Sequence, residues 1–328
     1  MTTLVTGATG HLGANLVRSL CERGEQVRVL VRPESDQAAL EGLSVERAVG
    51  DLCDAASLER AVKGASRMYH AAAMISIRSG DRAALMQTNV EGTARLMQAA
   101  LDNRLEKVVY TSSFGAIGTR RDRASTEEDW LDPFQPVMDY ERSKAHSEVA
   151  VLQAAARGLP VCIVNPSAIV GPWDFRPSLV GRTIVDFGLG KMRAYVPGGF
   201  DWVPMKDVVR GHLLAMEKGR PGERYLLSGE VHSLDQIMDW LAEFTGKPRP
   251  RVRIPARLMQ GVALIKDFIE RKFFPHRTPR FNYHSIRILS SGKTGNNEKA
   301  RRELGYAPTP VREAFQDAVA WFQENERF

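Results

Sequence analysis

Residues 2–23, TTLVTGATGHLGANLVRSLCER, decide how the rest of the chain is read. Thr2–Thr6 has the compact apolar character of a strand and runs straight into a glycine-rich turn. A helical pattern follows over residues 12–23 and is stopped by Gly24. In a strand–turn–helix unit, Gly7 permits the tight turn and Gly10 lets a pyrophosphate approach the backbone with no Cβ in the way. Gly13 then allows close helix–strand contact. The helix offers its free N–H groups and positive dipole end to the phosphates. A glycine triplet alone is an ordinary strand–helix turn more often than a nucleotide site. At the start of the chain, in this order, it reads as a dinucleotide-binding fingerprint.

Working outward, short apolar runs at residues 26–32, 45–49, 67–70, 108–112 and 161–165 read as further strands. Their apolar centres, such as Val29-Leu30-Val31 and Ile163-Val164, suit strands buried on both faces. Helical patterns lie between them, notably residues 83–103 and 139–157. Repeated strand–helix–strand units imply an α/β fold, a doubly wound parallel sheet of the Rossmann type. After Pro166 proline and glycine become frequent and regular alternation is lost. A helix around 208–218, a strand at 224–228 and a helix at 234–245 follow. The expected division is a dinucleotide-binding domain over 1–165 and a smaller C-terminal substrate lobe over 166–328, with some segments of the latter returning to the sheet. Such a lobe belongs over the carboxyl edge of the sheet, where open α/β folds bind ligands.

Composition narrows the function classes. With 43% hydrophobic and 26% charged residues, the chain of 328 is neither disordered nor fibrous. Its three cysteines, Cys21, Cys53 and Cys162, form no CxxC or Cys/His cluster, so neither a disulfide framework nor a bound metal is expected. No apolar run approaches the ~18 residues a membrane span needs. No signal peptide is expected before the first strand, and the reading is a cytoplasmic protein. The net charge of +6 is regional: residues 247–302 hold 15 Lys/Arg against 3 Asp/Glu, and the remainder is net negative. No recognition motif or aromatic-interleaved basic stripe accompanies that region, so nucleic acid is not an expected partner.

The end of the second strand reports on the cofactor. Sites that prefer NAD usually carry Asp or Glu there, to accept from the ribose 2′-hydroxyl. This chain has Arg32, whose guanidinium suits a 2′-phosphate, so NADP(H) is favoured. Glu34, two residues on, keeps NAD(H) open. Asp51, in Gly50-Asp51-Leu52, can accept from the adenine amino group. Ala71, Ala72 and Ala73, after His70, leave space beneath the pyrophosphate and nicotinamide ribose. Each of these alone is more often plain packing.

At the reacting end, Tyr140 and Lys144 are one helical turn apart and share a face. Ser112 and Ser113 close the fifth strand, which opens toward the same crevice. An ammonium at Lys144, with an oxidised nicotinamide close by, favours the phenolate of Tyr140 and lowers its pKa. Tyr140 then exchanges a proton with a substrate oxygen that a serine hydroxyl positions. A lone Tyr-x-x-x-Lys pair is usually a helix-surface contact; behind a nucleotide fingerprint it reads as a reacting dyad.

Taken together, TGATGHLG, GDL, HAAA, NVEGT, VVYTSS, YERSK and NPSAIVGP resemble the extended short-chain dehydrogenase/reductase superfamily, over essentially the whole chain. Among its branches the chain is most similar to dihydroflavonol 4-reductase-like proteins and hopanoid-associated sugar epimerases. The resemblance implies Tyr140 as proton donor and acceptor, and Lys144 as the group that depresses its pKa and holds the nicotinamide ribose. It implies Ser113, rather than Ser112, against the substrate, with Ser112 among the cofactor contacts. Gly7, Thr9, Gly10, His11, Leu12 and Gly13 match the pyrophosphate loop, and Asp51 with Leu52 the adenine contact. Asn89, and Pro166 to Ile169, match further cofactor contacts. Pro204 is a departure, because relatives usually carry His or Asp there.

The leading functional expectation is an NAD(P)H-dependent oxidoreductase acting on a carbonyl or secondary alcohol of a small molecule. The alternative is a nucleotide-sugar epimerase or dehydratase with a retained cofactor, and a third reading is a non-catalytic NADPH sensor. Helices 83–103 and 139–157 match those that pair dimers in the family, implying a homodimer. Residues 255–275 carry an apolar stripe with basic flanks. A core-packed helix is the plainer reading. The sharper one is peripheral membrane association with uptake of an apolar substrate.

Overall fold

The computed structural model describes residues 1–78, 80–120, 122–132, 134, 137–262, 286 and 292–328. Seven parallel strands form the main sheet: β1 (Thr2–Thr6), β2 (Gln26–Val31), β3 (Glu46–Val49), β4 (Arg67–His70), β5 (Lys107–Thr111), β6 (Val161–Pro166) and β10 (Arg224–Leu227). Their order, β10-β6-β5-β4-β1-β2-β3, reverses direction between β1 and β4. In open α/β sheets such a switch point, beyond the carboxyl ends of the strands, is where ligands bind.

Successive strand residues face opposite sides of the sheet, and each side carries its own core. Val5, Val29, Tyr69, Val109, Cys162 and Val164 pack on one side. That side is covered by α1 (His11–Glu22), α7 (Met205–Lys218) and α9 (Glu298–Leu304). Leu4, Leu30, Met68, Val108, Tyr110 and Ile163 pack on the other. There they meet α2 (Ala55–Val62), α4 (Gly92–Asp102) and α5 (Asp139–Ala156). The helical run leading into α4 begins as α3 (Arg82–Leu85) and passes through a π turn at Met86–Glu91.

Beyond Pro166 the chain divides between two places. Strand β10 pairs with β6 and α7 packs against α1, so the expected helix near 208–218 and strand near 224–228 belong to the main sheet and its cover. The lobe is built from a second sheet, β11-β9-β7, with β7 (Ala168–Val170), β9 (Gly199–Pro204) and β11 (Glu230–Ser233). Helices α6 (Leu179–Gly188), α8 (Leu234–Thr245) and α10 (Val311–Glu324) close over it around Trp202, Leu241, Phe315 and Phe322. Among the described residues, no helix is long and apolar enough to cross a membrane. Of the stripe at 255–275, Leu258 and Val262 are exposed, and residues 263–275 lie outside the described residues.

The edge pairing of β10 brings a charge into the interior. Arg224 sits 2.8 Å from Glu148 of α5, both almost wholly buried. Arg224 also donates to the carbonyl of Glu127 and stacks on Trp130, 4.0 Å from the ring centre. Asn165 on β6 donates to the other oxygen of Glu148 at 2.6 Å, so one carboxylate ties α5, β6 and β10 together. Arg224→Met, which strands that carboxylate, is expected to cost about 3–5 kcal/mol in urea unfolding. Adding Glu148→Gln, which keeps a carbonyl for Asn165, should recover much of the loss. Equal stabilities for the single and double variants would show that the pair is not what holds this edge.

Candidate active site

The loop after β1 is set by close approach. Gly7 has φ +75, and a Cβ there would lie 2.6 Å from the Ala72 nitrogen. A Cβ on Gly13 would lie 2.1 Å from the Gly7 carbonyl oxygen. Gly10 is different: it is exposed, its nearest obstacle is Gly7 O at 3.3 Å, and its N–H donates to Gly7 O at 3.0 Å. Helix α1 starts there with no side-chain cap and no acidic residue in its first turn. An uncapped, exposed helix start suits the phosphates of a dinucleotide. Thr9 is half-buried on the same turn, and Leu12 packs into the core beneath it.

His11 turns toward the lobe. Its Nε2–H donates to the carbonyls of Gly171 (3.1 Å) and Pro172 (3.0 Å). Asn15 donates to Pro172 O at 3.1 Å, and the Arg18 guanidinium lies 4.2 Å from the Trp173 ring centre. One face of α1 therefore grips residues 171–173 while its first turn stays uncapped at Gly10.

Arg32, at the end of β2, is exposed and its side chain has no hydrogen-bond partner among the described residues. Asp51 accepts from its neighbour Cys53 N at 2.8 Å, and Leu52 is buried against Gly92. Ala71, Ala72 and Ala73 are half-buried behind Gly7, with Ala71 N donating to Thr6 O at 3.2 Å. Asn89, in the π turn, is fully engaged with protein. Its Oδ1 accepts from Met74 N at 2.7 Å, and its Nδ2 donates to Met74 O and Ser143 Oγ at 2.9 Å each. It thus shapes the segment after Ala73. Pro166 closes β6 in register with Leu227, and Ile169 on β7 packs against the core below α1.

Ser113 and Tyr140 come together, the serine hydroxyl near enough to act on the ionisation of the phenol. Burial pushes the Tyr140 pKa up to about 12, with Ser113 pulling the other way. Lys144, one turn further along α5, does not contact the phenol. Its Nζ donates to Tyr110 Oη (2.6 Å) and to the Thr111 carbonyl (2.7 Å). Burial pushes the lysine down to about 7, with Glu148 pulling it back up. The lowering expected at Tyr140 includes the charge of an oxidised nicotinamide; from the protein's own groups alone, burial dominates, and two of the three Lys144 N–H donors go to β5.

Two buried polar atoms at the ends of β5 and β6, Ser112 Oγ and Asn165 Oδ1, have no hydrogen-bond partner. Leaving such a group unpaired costs about 1–3 kcal/mol. At the carboxyl ends of the strands they fit a ligand with polar edges, as a nicotinamide dinucleotide has. Several neighbours escaped the sequence reading. Lys293 donates to the carbonyls of Phe114 (2.7 Å) and Ile117, stapling the turn that Ser113 caps. His70 and Tyr110 lie inside the quoted motifs HAAA and VVYTSS, yet only their side-chain partners distinguish them from strand filler.

Comparison with known proteins agrees with this geometry. The sequence pattern of the NAD dependent epimerase/dehydratase family matches residues 3–228. Sterol demethylase protein B of Methylococcus capsulatus is 63% identical over 324 residues, covering 99% of both chains. A putative dihydroflavonol 4-reductase of Synechocystis is 36% identical, covering 98% of this chain and 94% of its own. The crystal structure of gox2253 superimposes with a TM-score of 0.88 at 39% identity, covering 100% of this chain and 99% of the other. With its fingerprint turn and parallel sheet, the chain belongs to the NAD dependent epimerase/dehydratase family, within the extended short-chain dehydrogenases/reductases.

Proposed function

We propose that the protein is an NADP(H)-dependent oxidoreductase that reduces a ketone, or oxidises the corresponding secondary alcohol, on an apolar polycyclic substrate of the sterol type. The observation that carries this reading is the Ser113–Tyr140 hydroxyl pair, with Lys144 one helical turn beyond it. When bound, the nicotinamide supplies or accepts the hydride. Tyr140, a neutral phenol at neutral pH, donates a proton to the substrate oxygen as that oxygen gains electron density. Ser113 holds the same oxygen by hydrogen bonding. Reduction is thus the direction favoured near neutrality, and oxidation gains as pH rises and the phenol gives up its proton more readily.

The substrate class rests on exposed apolar side chains and on a relative's name. Residues after β4, before α5 and after β7 carry apolar side chains that face water: Ile75 at 67% exposure, Phe134 at 92%, Trp173 at 38% and Leu179 at 41%. Apolar side chains left open to water in segments that follow the strands suit a hydrocarbon framework better than a sugar nucleotide. The relative of 63% identity carries a sterol in its name, and the Synechocystis relative is named as a reductase. Arg32, exposed and unpaired at the ribose end, supports NADP(H) over NAD(H).

Steroid ketones with NADPH, set against UDP-glucose without added cofactor, test the choice. Reduction of the ketone supports the proposal, and conversion of the sugar nucleotide alone overturns it. Tyr140→Phe should lower turnover by about 10²–10⁴-fold while leaving NADPH affinity within about twofold. A variant that keeps most of its rate would remove Tyr140 as the proton donor. Arg32→Ala should weaken NADPH by about one to two decades, the worth of a charge-assisted contact, and NADH hardly at all. Equal losses for the two cofactors in a fluorescence titration would sink the assignment of Arg32 to the 2′-phosphate.

A further inference from the structure

Three adjacent strands end in polar residues that stand side by side. The register pairs Thr6 of β1 with His70 of β4, and His70 with Tyr110 of β5. All three are fully buried, on the side of the sheet that otherwise packs Leu4, Met68 and Val108 against α4 and α5. Polar groups in such a place persist only when each finds a partner, and here they form a chain. Thr6 Oγ1 accepts from Ala72 N at 3.3 Å and lies 2.7 Å from His70 Nδ1. His70 Nε2 lies 2.9 Å from Thr93 Oγ1 on α4. The hydroxyls of Thr93 and Ser147 approach Tyr110, whose Oη takes the Lys144 ammonium at 2.6 Å.

One proton ordering satisfies every member. Ala72 N–H donates to Thr6, the Thr6 hydroxyl to Nδ1, Nε2–H to Thr93, and Thr93 to Tyr110. Tyr110 then donates to Ser147, which passes its own proton to the carbonyl of Ser143 (2.6 Å) or Asn89 (2.8 Å). This ordering needs a neutral imidazole. Burial, with the Lys144 charge nearby, pushes His70 down to about 3, which keeps it neutral.

We propose that Tyr110 is the positioning residue of Lys144, and that the chain Tyr110–Thr93–His70–Thr6 couples the ammonium's placement to the turn that receives the cofactor. The Tyr110 ring lies 4.3 Å beneath Nζ, so hydroxyl and ring together hold the lysine on β5. At the far end, Thr6 anchors Ala72, the residue against which Gly7 is packed. A shift in the Gly7 turn therefore has a path to Lys144 through Ala72 N, Thr6, His70, Thr93 and Tyr110. The charged and titratable groups facing Lys144 are His70 from β4, Tyr110 from β5 and Glu148 from α5, with Tyr140 of α5 acting on Tyr110.

The proposal rests on Lys144 serving the cofactor, and its test does not require the substrate to be known. NADPH and NADH are titrated by fluorescence between about pH 6 and 9, the range that brackets the lysine. A cofactor that uses the ammonium binds the charged form, so wild-type affinity holds at the acid end and declines as pH rises through neutrality. Tyr110→Phe keeps the ring and removes one acceptor from the ammonium. Near neutral pH affinity should fall about tenfold, the worth of one charge-assisted hydrogen bond, and the decline should begin about one pH unit lower. Thr93→Val should act in the same direction less strongly, and should add nothing in the Tyr110→Phe background. A folded Tyr110→Phe protein with unchanged affinity and pH dependence would reduce Tyr110 to packing. Additive effects of the two substitutions would break the coupling. If Tyr110→Phe does not fold, Thr93→Val decides alone: unchanged cofactor affinity and pH dependence overturn the proposal, and a weaker affinity with an earlier decline sustains it.

Discussion

Between the turn after β1 and the helix that follows there is no space for one more carbon atom. Gly13 meets the Gly7 carbonyl and Gly7 meets the backbone of Ala71 and Ala72, each at separations a Cβ cannot share. That contact sets how deeply α1 lies on the sheet and so how Leu16, Val17 and Leu20 enter the core. It leaves the first turn of α1 open at Gly10, where an anion has backbone donors and no side chain in the way. The same helix carries His11, Asn15 and Arg18 on one face, and all three hold the segment from Gly171 to Trp173. Trp173 sits at φ +63, a conformation that costs a non-glycine residue roughly 1–2 kcal/mol. Arg18 on one side and Phe175 and Trp321 on the other hold its ring in place. The glycine turn and the C-terminal lobe therefore share one support in α1.

A second consequence concerns the face of the sheet beneath α4 and α5. It is apolar along most of each strand and polar at the carboxyl ends, where Thr6, His70 and Tyr110 line up. The helices above supply the complementary groups: Thr93 from α4, and Lys144 and Ser147 from α5. The π turn at Met86–Glu91 belongs to the same arrangement. It brings the Asn89 carbonyl to Ser147 and the Asn89 amide to the backbone of Met74. A π turn displaces the helical ladder by one residue, and such turns recur where a side chain must be re-aimed. Stability and chemistry meet again in Glu148, which neutralises Arg224, orients Asn165 and lies close enough to Lys144 to favour its charge.

Much of this was legible from the amino-acid order. Strand–helix alternation, the glycine spacing and the Tyr140/Lys144 interval are local patterns, and each follows from the geometry of one element. They located the parallel sheet, the turn after β1 and helix α5 with boundaries off by a residue or so. The fate of residues 205–227 was not legible, because a helix and a strand carry no mark of the sheet they will join. Strand β10 returns to β6 since its four residues, Arg224 included, are buried against that edge and against Glu148.

The sequence by itself determined the α/β class, the dinucleotide fingerprint and the residue types at the reacting end, because these depend on spacing within a single segment. Only the tertiary structure decided that Lys144 donates to Tyr110 and not to Tyr140, and that Thr6, His70 and Tyr110 are neighbours. Those three residues lie 64 and 40 positions apart along the chain. What makes them adjacent is the register of three parallel strands, which arises from packing the whole sheet and is written in no one of its segments.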